Sequence, residues 1–217
     1  MLMGTSCANT MAEPLRIAKP PRRTQAERSE TTRARLANAA YETVAESGLS
    51  ALTMRTVATA AGVSPGALLH HFPDKNALII AAIEQALTLA RDDSAALLDA
   101  RPIGPEPLLR ALLAELRGFF FSDRFWVAMG ITLDAQKDPE LNDAVRRTVA
   151  ELRTPIYRVW AEQLGSAGWS RAEAIKTVRS GASLVSGGAI RRFWSQSDEI
   201  TAQIEEDWVE ERLRTRN

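Results

Sequence analysis

Apolar residues recur every three or four positions along most of the chain, and no segment alternates apolar and polar residues as a half-buried strand does. This pattern predicts an all-α protein. In the N-terminal third, Leu36, Ala40 and Val44 form one apolar stripe. The stripe predicts a first helix that begins near Thr24, a capping residue type, and ends at Gly48.

Two short helices separated by a glycine turn are predicted next. The first of them begins at Thr53, and the second begins at Ser64 and ends before Pro73. Gly62 lies between them and can adopt the positive φ of a tight turn. This spacing is typical of a helix-turn-helix, whose second helix can enter the major groove of DNA.

The second helix of this pair has two different faces. Leu68 and Phe72 are four residues apart and are expected to point into the core. The residues expected on the opposite face are Pro65, Gly66, Leu69 and His70. Asp74 then caps a longer helix, which is predicted from Lys75 to about Ala90.

The remainder of the chain is also predicted to be helical. A loop is expected at 101–107, which contains three prolines and a glycine. The helices predicted after it cover residues 108–121, 123–137, 138–164 and 170–194, followed by a last helix around 200–213. Pro155 is expected to kink the longest of them, because proline removes one backbone hydrogen bond.

Small and β-branched residues form a seam along the helix that begins at Ser170, at spacings of four and three. The seam consists of Ala174, Val178, Gly181, Val185 and Gly188. The last helix carries its own stripe, which includes Ile204 and Trp208. One interpretation is that both stripes pair with a second copy of the chain, and the alternative is that both pack within one subunit.

Bulky apolar side chains in the C-terminal half are candidates for the walls of a ligand pocket. They are Phe119, Trp126, Met129, Leu133, Tyr157 and Trp160. Few charged residues fall among them, so a ligand bound there is expected to be hydrophobic or aromatic. The alternative is that these side chains are simply core, because aromatic residues at helical spacing are usually buried.

The charge of the chain is balanced, with 27 basic and 27 acidic residues, so a nucleic-acid site depends on local clustering. Between Pro14 and Arg35 there are seven basic residues and two acidic ones. Residues 1–23 are therefore expected to be a disordered basic arm of the kind that lies beside DNA phosphates. A solvated tail is the alternative.

Several classes of protein are excluded by what the chain lacks. Cys7 is the single cysteine, which excludes an intrachain disulfide and fits a reducing cytoplasm. No apolar run is long enough for a membrane span. No Ser/His/Asp set, phosphate-binding glycine loop or metal-spaced cluster is present, so neither an enzyme nor a cofactor is expected. His70 and His71 diverge by about 100° on a helix and have no third ligand at a metal-like spacing.

The N-terminal motifs resemble the DNA-binding domain of TetR-family regulators. The matching segments are residues 36–40, Gly48, 53–58, 60–64 and 68–78. The resemblance implies a homodimer in which residues 24–74 form the helix-turn-helix domain and 75–217 form a helical domain for effector binding and dimerisation. It also implies binding to a palindromic operator, most often as a repressor, with release by a small molecule.

The resemblance also implies which residues contact double-stranded DNA. They are Thr53, Arg55, Ser64, Pro65, Gly66, Ala67, Leu69, His70, His71 and Lys75. Leu69 departs from the family, which usually has a tyrosine there whose hydroxyl reaches a phosphate. Leu69 can touch a thymine methyl group instead, or it closes the surface of the domain. A helical adaptor without DNA and an activator remain alternative functions.

Overall fold

The computed structural model describes residues 24–100, 102–194 and 199–216. These residues form helices and no strand, which confirms the all-α prediction. The helices are α1 (Gln25–Ser47), α2 (Met54–Ala60), α3 (Pro65–His71), α4 (Lys75–Asp99), α5 (Pro105–Phe120), α6 (Asp123–Ala135), α7 (Pro139–Ser166), α8 (Arg171–Arg191) and α9 (Glu199–Arg214). The predicted arm, residues 1–23, lies outside the described residues. None of the helices in these ranges is long and apolar enough to span a membrane.

Helix starts follow local capping chemistry. The Thr24 hydroxyl accepts a hydrogen bond from the Glu27 backbone N–H at 3.2 Å, and the Glu27 carboxylate accepts one from the Thr24 backbone N–H at 2.7 Å. This reciprocal pair is the predicted capping box of α1. Asp74 caps α4 with its side chain alone, which accepts from the Ala77 N–H at 2.8 Å.

Several helix bounds differ from the predictions. Helix α4 ends at Asp99 rather than near Ala90, because no glycine or proline interrupts that stretch and Ser94 is buried in the core. Helix α5 begins at Pro105, inside the predicted loop, since proline is tolerated in the first turn of a helix. Helix α7 continues through Pro155, as predicted, and ends at Ser166 rather than at Leu164.

Helix α4 connects the two halves of the protein. It packs against α1 in the N-terminal half and against α6 and α7 in the C-terminal half. Its buried residues include Leu78, Ile83 and Leu87, which belong to one continuous apolar cluster extending from α1 to α9. The two halves therefore share a core rather than meeting only at a surface.

A buried ion pair joins α5 to α7. Arg153 Nη1 donates to Glu115 Oε1 at 3.1 Å, and the two side chains are 6% and 2% exposed. The guanidinium also lies over the rings of Phe119 and Tyr157, at 4.3 and 4.9 Å from their centroids. Burial raises the pKa of Glu115, and the positive charge of Arg153 opposes that rise.

The seam of α8 faces the interior of its own subunit. Its five residues are all buried, and α8 packs against α5, α7 and α9. A Cβ atom added to Gly181 would lie 3.1 Å from the Trp208 ring and 3.3 Å from Leu116 Cδ1. The seam thus follows the intrasubunit alternative, because helices of the same chain already cover it. On α9, Ile204 is 40% exposed and Trp208 is partly buried.

We expect Gly181→Val to lower the free energy of unfolding by about 1–3 kcal/mol, because the added methyl groups overpack the contact with Trp208. Gly118→Val is the matched control, since a Cβ there meets nothing within 4 Å, and it should change stability by less than about 0.5 kcal/mol. Urea unfolding of both variants measures the difference. Equal effects would show that Gly181 is not a packing constraint.

Arg153→Met should lower the free energy of unfolding by about 3–5 kcal/mol, because it leaves Glu115 buried without a counter-charge. In that variant the folded pKa of Glu115 lies above the unfolded value, so protonation stabilises the fold at low pH and the benefit is lost as pH rises. Stability relative to the parent should therefore be lower at about pH 7.5 than at about pH 5.5.

The double variant Glu115→Gln/Arg153→Met is the control for this pH dependence. It has no carboxyl group at the site, so its stability relative to the parent should lose the additional dependence on pH seen in the single variant. Urea unfolding at both pH values provides the measurement. If Arg153→Met lowers the free energy of unfolding by the same amount at both pH values, the carboxyl group of Glu115 is not the cause of the destabilisation.

Candidate functional site

Helices α2 and α3 form a helix-turn-helix. The turn between them is held by the Val63 N–H, which donates to the Ala58 carbonyl at 3.0 Å, and by Gly62, whose φ of 62° lies in the left-handed region. Thr53 caps α2, with its hydroxyl 3.1 Å from the Thr56 N–H. Ser64 caps α3, accepting from the Ala67 N–H at 3.2 Å.

Two buried side chains fix the orientation of α3. Leu68 is fully buried and Phe72 is 2% exposed, as the four-residue spacing predicted. Arg33 of α1 holds the end of α3, because its guanidinium lies 4.6 Å from the centroid of the Phe72 ring and donates to the His71 carbonyl at 3.3 Å. The sequence indicated only a basic residue at this position, since the contact joins positions far apart in the chain.

The opposite face of α3 is open, as predicted. Pro65, Gly66, Leu69 and His70 are all exposed, and Leu69 exposes 54% of its surface. A Cβ atom added to Gly66 would meet nothing within 4 Å. This face therefore presents two small or rigid residues at the start of the helix and two larger ones further along. Ala67 and His71 lie at its edge and are partly buried.

The two histidines differ in environment. Their rings meet edge to face, with centroids 5.2 Å apart. Burial lowers the pKa of His71, and the charges of His70 and Arg33 lower it further, so its neutral form is favoured. In the part of the chain that the structure describes, no group of three His, Cys, Asp or Glu side chains could hold a metal ion.

Basic side chains flank the open face of α3. Arg55 lies in the first turn of α2 and Lys75 in the first turn of α4, and both are exposed. Neither forms an ion pair with any residue described by the structure. Their charges are therefore not neutralised by a salt bridge within the described residues. Thr53 and Ser64, at the other helix starts, are exposed as well.

The six predicted pocket residues do not surround one cavity. Trp126 lines a cavity of about 290 Å³ with Phe121 and Phe193, between α5, α6 and the end of α8. Tyr157 lines a separate groove of about 570 Å³ between α7 and α8. The sequence did not indicate this groove, because its walls come from two helices whose contact has no signature in local periodicity.

The other four residues line neither cavity. Phe119 is buried beneath Arg153, and Trp160 is buried and donates from its indole N–H to Ser94 Oγ at 3.0 Å. Met129 is partly buried. Leu133 is 57% exposed, because α6 buries the stripe of Phe125, Ala128, Ile131 and Ala135 and turns the stripe of Leu133 outward.

Comparisons with known proteins agree with this geometry. Residues 36–82 match the model of the family described as bacterial regulatory proteins, tetR family. The HTH-type transcriptional regulator CymR of Pseudomonas putida is 32% identical over 191 residues, which is 88% of this chain and 94% of CymR. The HTH-type transcriptional regulator BetI of Rhizobium meliloti (strain 1021) is 28% identical over 184 residues, which is 82% of this chain and 88% of BetI.

Solved structures share the fold. SCO4454, a TetR-family transcriptional regulator from Streptomyces coelicolor, has a TM-score of 0.64 and 21% sequence identity, and the match covers 85% of this chain and 89% of SCO4454. A transcriptional regulator from Saccharomonospora viridis, solved in complex with choline, has a TM-score of 0.66 and 19% identity over 83% of this chain and 96% of that chain.

Arg33→Ala should lower the free energy of unfolding by about 0.5–1 kcal/mol, because it removes the contact with the Phe72 ring. It should also speed hydrogen exchange at the backbone amides of α3. The control is Arg35→Ala, an exposed neighbour on α1 that forms no ion pair with the described residues. Identical exchange rates in the two variants would refute the anchoring role of Arg33.

Proposed function

Because this chain belongs to the tetR family of bacterial regulatory proteins, and so is a DNA-binding transcriptional regulator rather than an enzyme, we propose that it is a homodimeric repressor. It binds a palindromic operator and is released by a small hydrophobic effector. The observation that carries this proposal is the open face of α3, held outward by the burial of Leu68 and Phe72. Acting on DNA also implies a cytoplasmic location.

The proposed DNA contacts divide into two groups. Pro65, Gly66 and Ala67 let α3 approach the floor of the major groove, where Leu69 meets a thymine methyl group and His70 reads a base edge. The residues proposed to contact phosphates are Thr53, Arg55, Ser64, His71 and Lys75. Phosphate contacts fix the register of the domain, and base contacts select the sequence.

The proposed dimer uses the faces of α8 and α9 that point away from the buried seam. Ser183 and Gly187 of α8 are exposed and small, which lets another helix approach closely. On α9, Ile200 and Ile204 are four residues apart and are 54% and 40% exposed. Exposed aliphatic residues at helical spacing support a helix-packed contact with a second copy.

The proposed domains, 24–74 and 75–217, are coupled through α6. Arg124, at the start of α6, forms an ion pair with Asp93 of α4 and lies beside Tyr41 of α1. Gln85 of α4 also bonds to Asn38 of α1 at 3.4 Å. An effector that shifts α6 or α4 would therefore move the DNA-binding helices, because these contacts tie them together.

Selection of random duplexes by the purified full-length chain at low ionic strength tests the proposed function. The expected result is an inverted repeat with two half-sites about one helical turn apart, since a two-fold dimer presents two copies of α3. Sedimentation of the chain with the selected duplex should give two subunits per site. Recovery of no preferred sequence would overturn the proposal.

Lys75→Ala should weaken binding to the selected duplex and to an unrelated duplex by the same factor, because a phosphate contact carries no sequence information. The slope of log affinity against log salt should become shallower by about 2, because each of the two subunits of the proposed dimer loses one phosphate contact. Arg146→Ala, an exposed position on α7, is the control and should leave the slope unchanged. An unchanged slope for Lys75→Ala would exclude the phosphate contact.

A further inference from the structure

The groove between α7 and α8 combines an apolar floor with a basic rim. Its volume is about 570 Å³, which is in the range that accommodates small organic ligands. The floor is formed by Tyr157, Ala161, Ile175 and Val178. The rim carries three arginines, Arg158, Arg171 and Arg179, and one carboxylate, Glu162.

The three rim arginines form no ion pair within the described ranges. Of the other arginines in the C-terminal half, seven are paired with carboxylates: Arg91, Arg110, Arg117, Arg124, Arg153, Arg212 and Arg214. Arg146 and Arg147 of α7 are exposed and also form no ion pair with the described residues, so the groove is distinguished by having three such arginines on one rim. Glu162 is one turn from Arg158 and yet is not bonded to it. The groove therefore has an excess of positive charge in a chain whose total charge is zero.

We propose that this groove binds an amphipathic organic anion, with its carboxylate on the rim arginines and its hydrocarbon body on the apolar floor. This inference rests on the proposed function, because it names the chemical class of the effector. Guanidinium groups bind carboxylates through paired, charge-assisted hydrogen bonds. A neutral ligand of the same shape leaves these donors without an acceptor, and a cation is repelled by them.

Tyr157 connects the groove to the core of the protein. Its hydroxyl lies 3.5 Å from Arg153 Nη2, and Arg153 holds the buried pair with Glu115 of α5. Glu115 Oε2 and Arg153 Nε are buried without a hydrogen-bond partner. A ligand that displaces the Tyr157 ring therefore changes the surroundings of the ion pair that joins α7 to α5.

Titration calorimetry of the full-length chain with three probes of equal chain length tests the proposal. The probes are octanoate, octanamide and octyltrimethylammonium. We expect octanoate to bind at least about tenfold more tightly than octanamide, because only the carboxylate pairs with the arginines. The cation should show no binding. Equal affinities for octanoate and octanamide would overturn the proposal.

Charge-removing variants locate the site. Arg158→Gln and Arg179→Gln should each weaken octanoate binding about tenfold, because each removes one charged donor. Arg146→Gln is the matched control, as it removes an exposed arginine of the same helix outside the groove. If the parent chain and the two groove variants bind octanoate with equal affinity, the anion binds outside the groove and the proposal is overturned.

A DNA measurement separates this inference from the proposed function. If octanoate lowers the affinity of the parent chain for its selected duplex and leaves the affinity of Arg158→Gln for that duplex unchanged, the groove proposal and the proposed function are both supported. If the chain selects a duplex and octanoate binds no better than octanamide, the groove proposal fails and the proposed function stands. If octanoate does not bind and the two groove variants sediment as monomers, the groove is a subunit contact and the proposal also fails.

Discussion

The orientation of α3 depends on the burial of two side chains, Leu68 and Phe72. Burying a leucine and a phenylalanine contributes several kcal/mol, on the order of 1.5–3 kcal/mol each. Rotating α3 about its axis by half a turn would expose both and bury His70 instead. The same constraint that completes the core of the N-terminal half therefore decides which residues face outward, so the open face that is proposed to bind DNA is a consequence of packing.

The uses of arginine in this chain show that local environment matters more than total charge. Arg33 is bound over an aromatic ring, Arg153 is buried with a carboxylate, and Arg158 lies free on the rim of a groove. One residue type thus anchors a helix, joins two helices in the core, and gives the rim of a groove its positive charge. A count of basic residues near the N-terminus overstates the number of guanidinium groups without a contact inside the protein, because Arg33 already contacts the Phe72 ring and the His71 carbonyl.

Sequence reasoning succeeded where the determining interactions are local. The capping box of Thr24 and Glu27 spans three residues, and the inward direction of Leu68 and Phe72 follows from helical spacing alone. It was less successful where helices far apart in the chain meet. The seam that includes Gly181 was recognised as one face of a helix, but periodicity does not say which neighbour covers that face.

The same limit applies to the ligand site. Residue type identified bulky apolar side chains in the C-terminal half, and the structure distributes them among the core, two cavities and the surface. The C-terminal end of α4 was also predicted too early, although the nearest residue after Ala90 that strongly disfavours a helix is Pro102. That helix has a mechanical consequence. At 1.5 Å per residue its 25 residues form a rod of about 37 Å, and a pivot of about 5° at one end displaces the other by about 3 Å. A displacement of that size is comparable with one base-pair step, so in the proposed dimer a small rearrangement in the C-terminal half would be enough to put the two copies of α3 out of register with their half-sites.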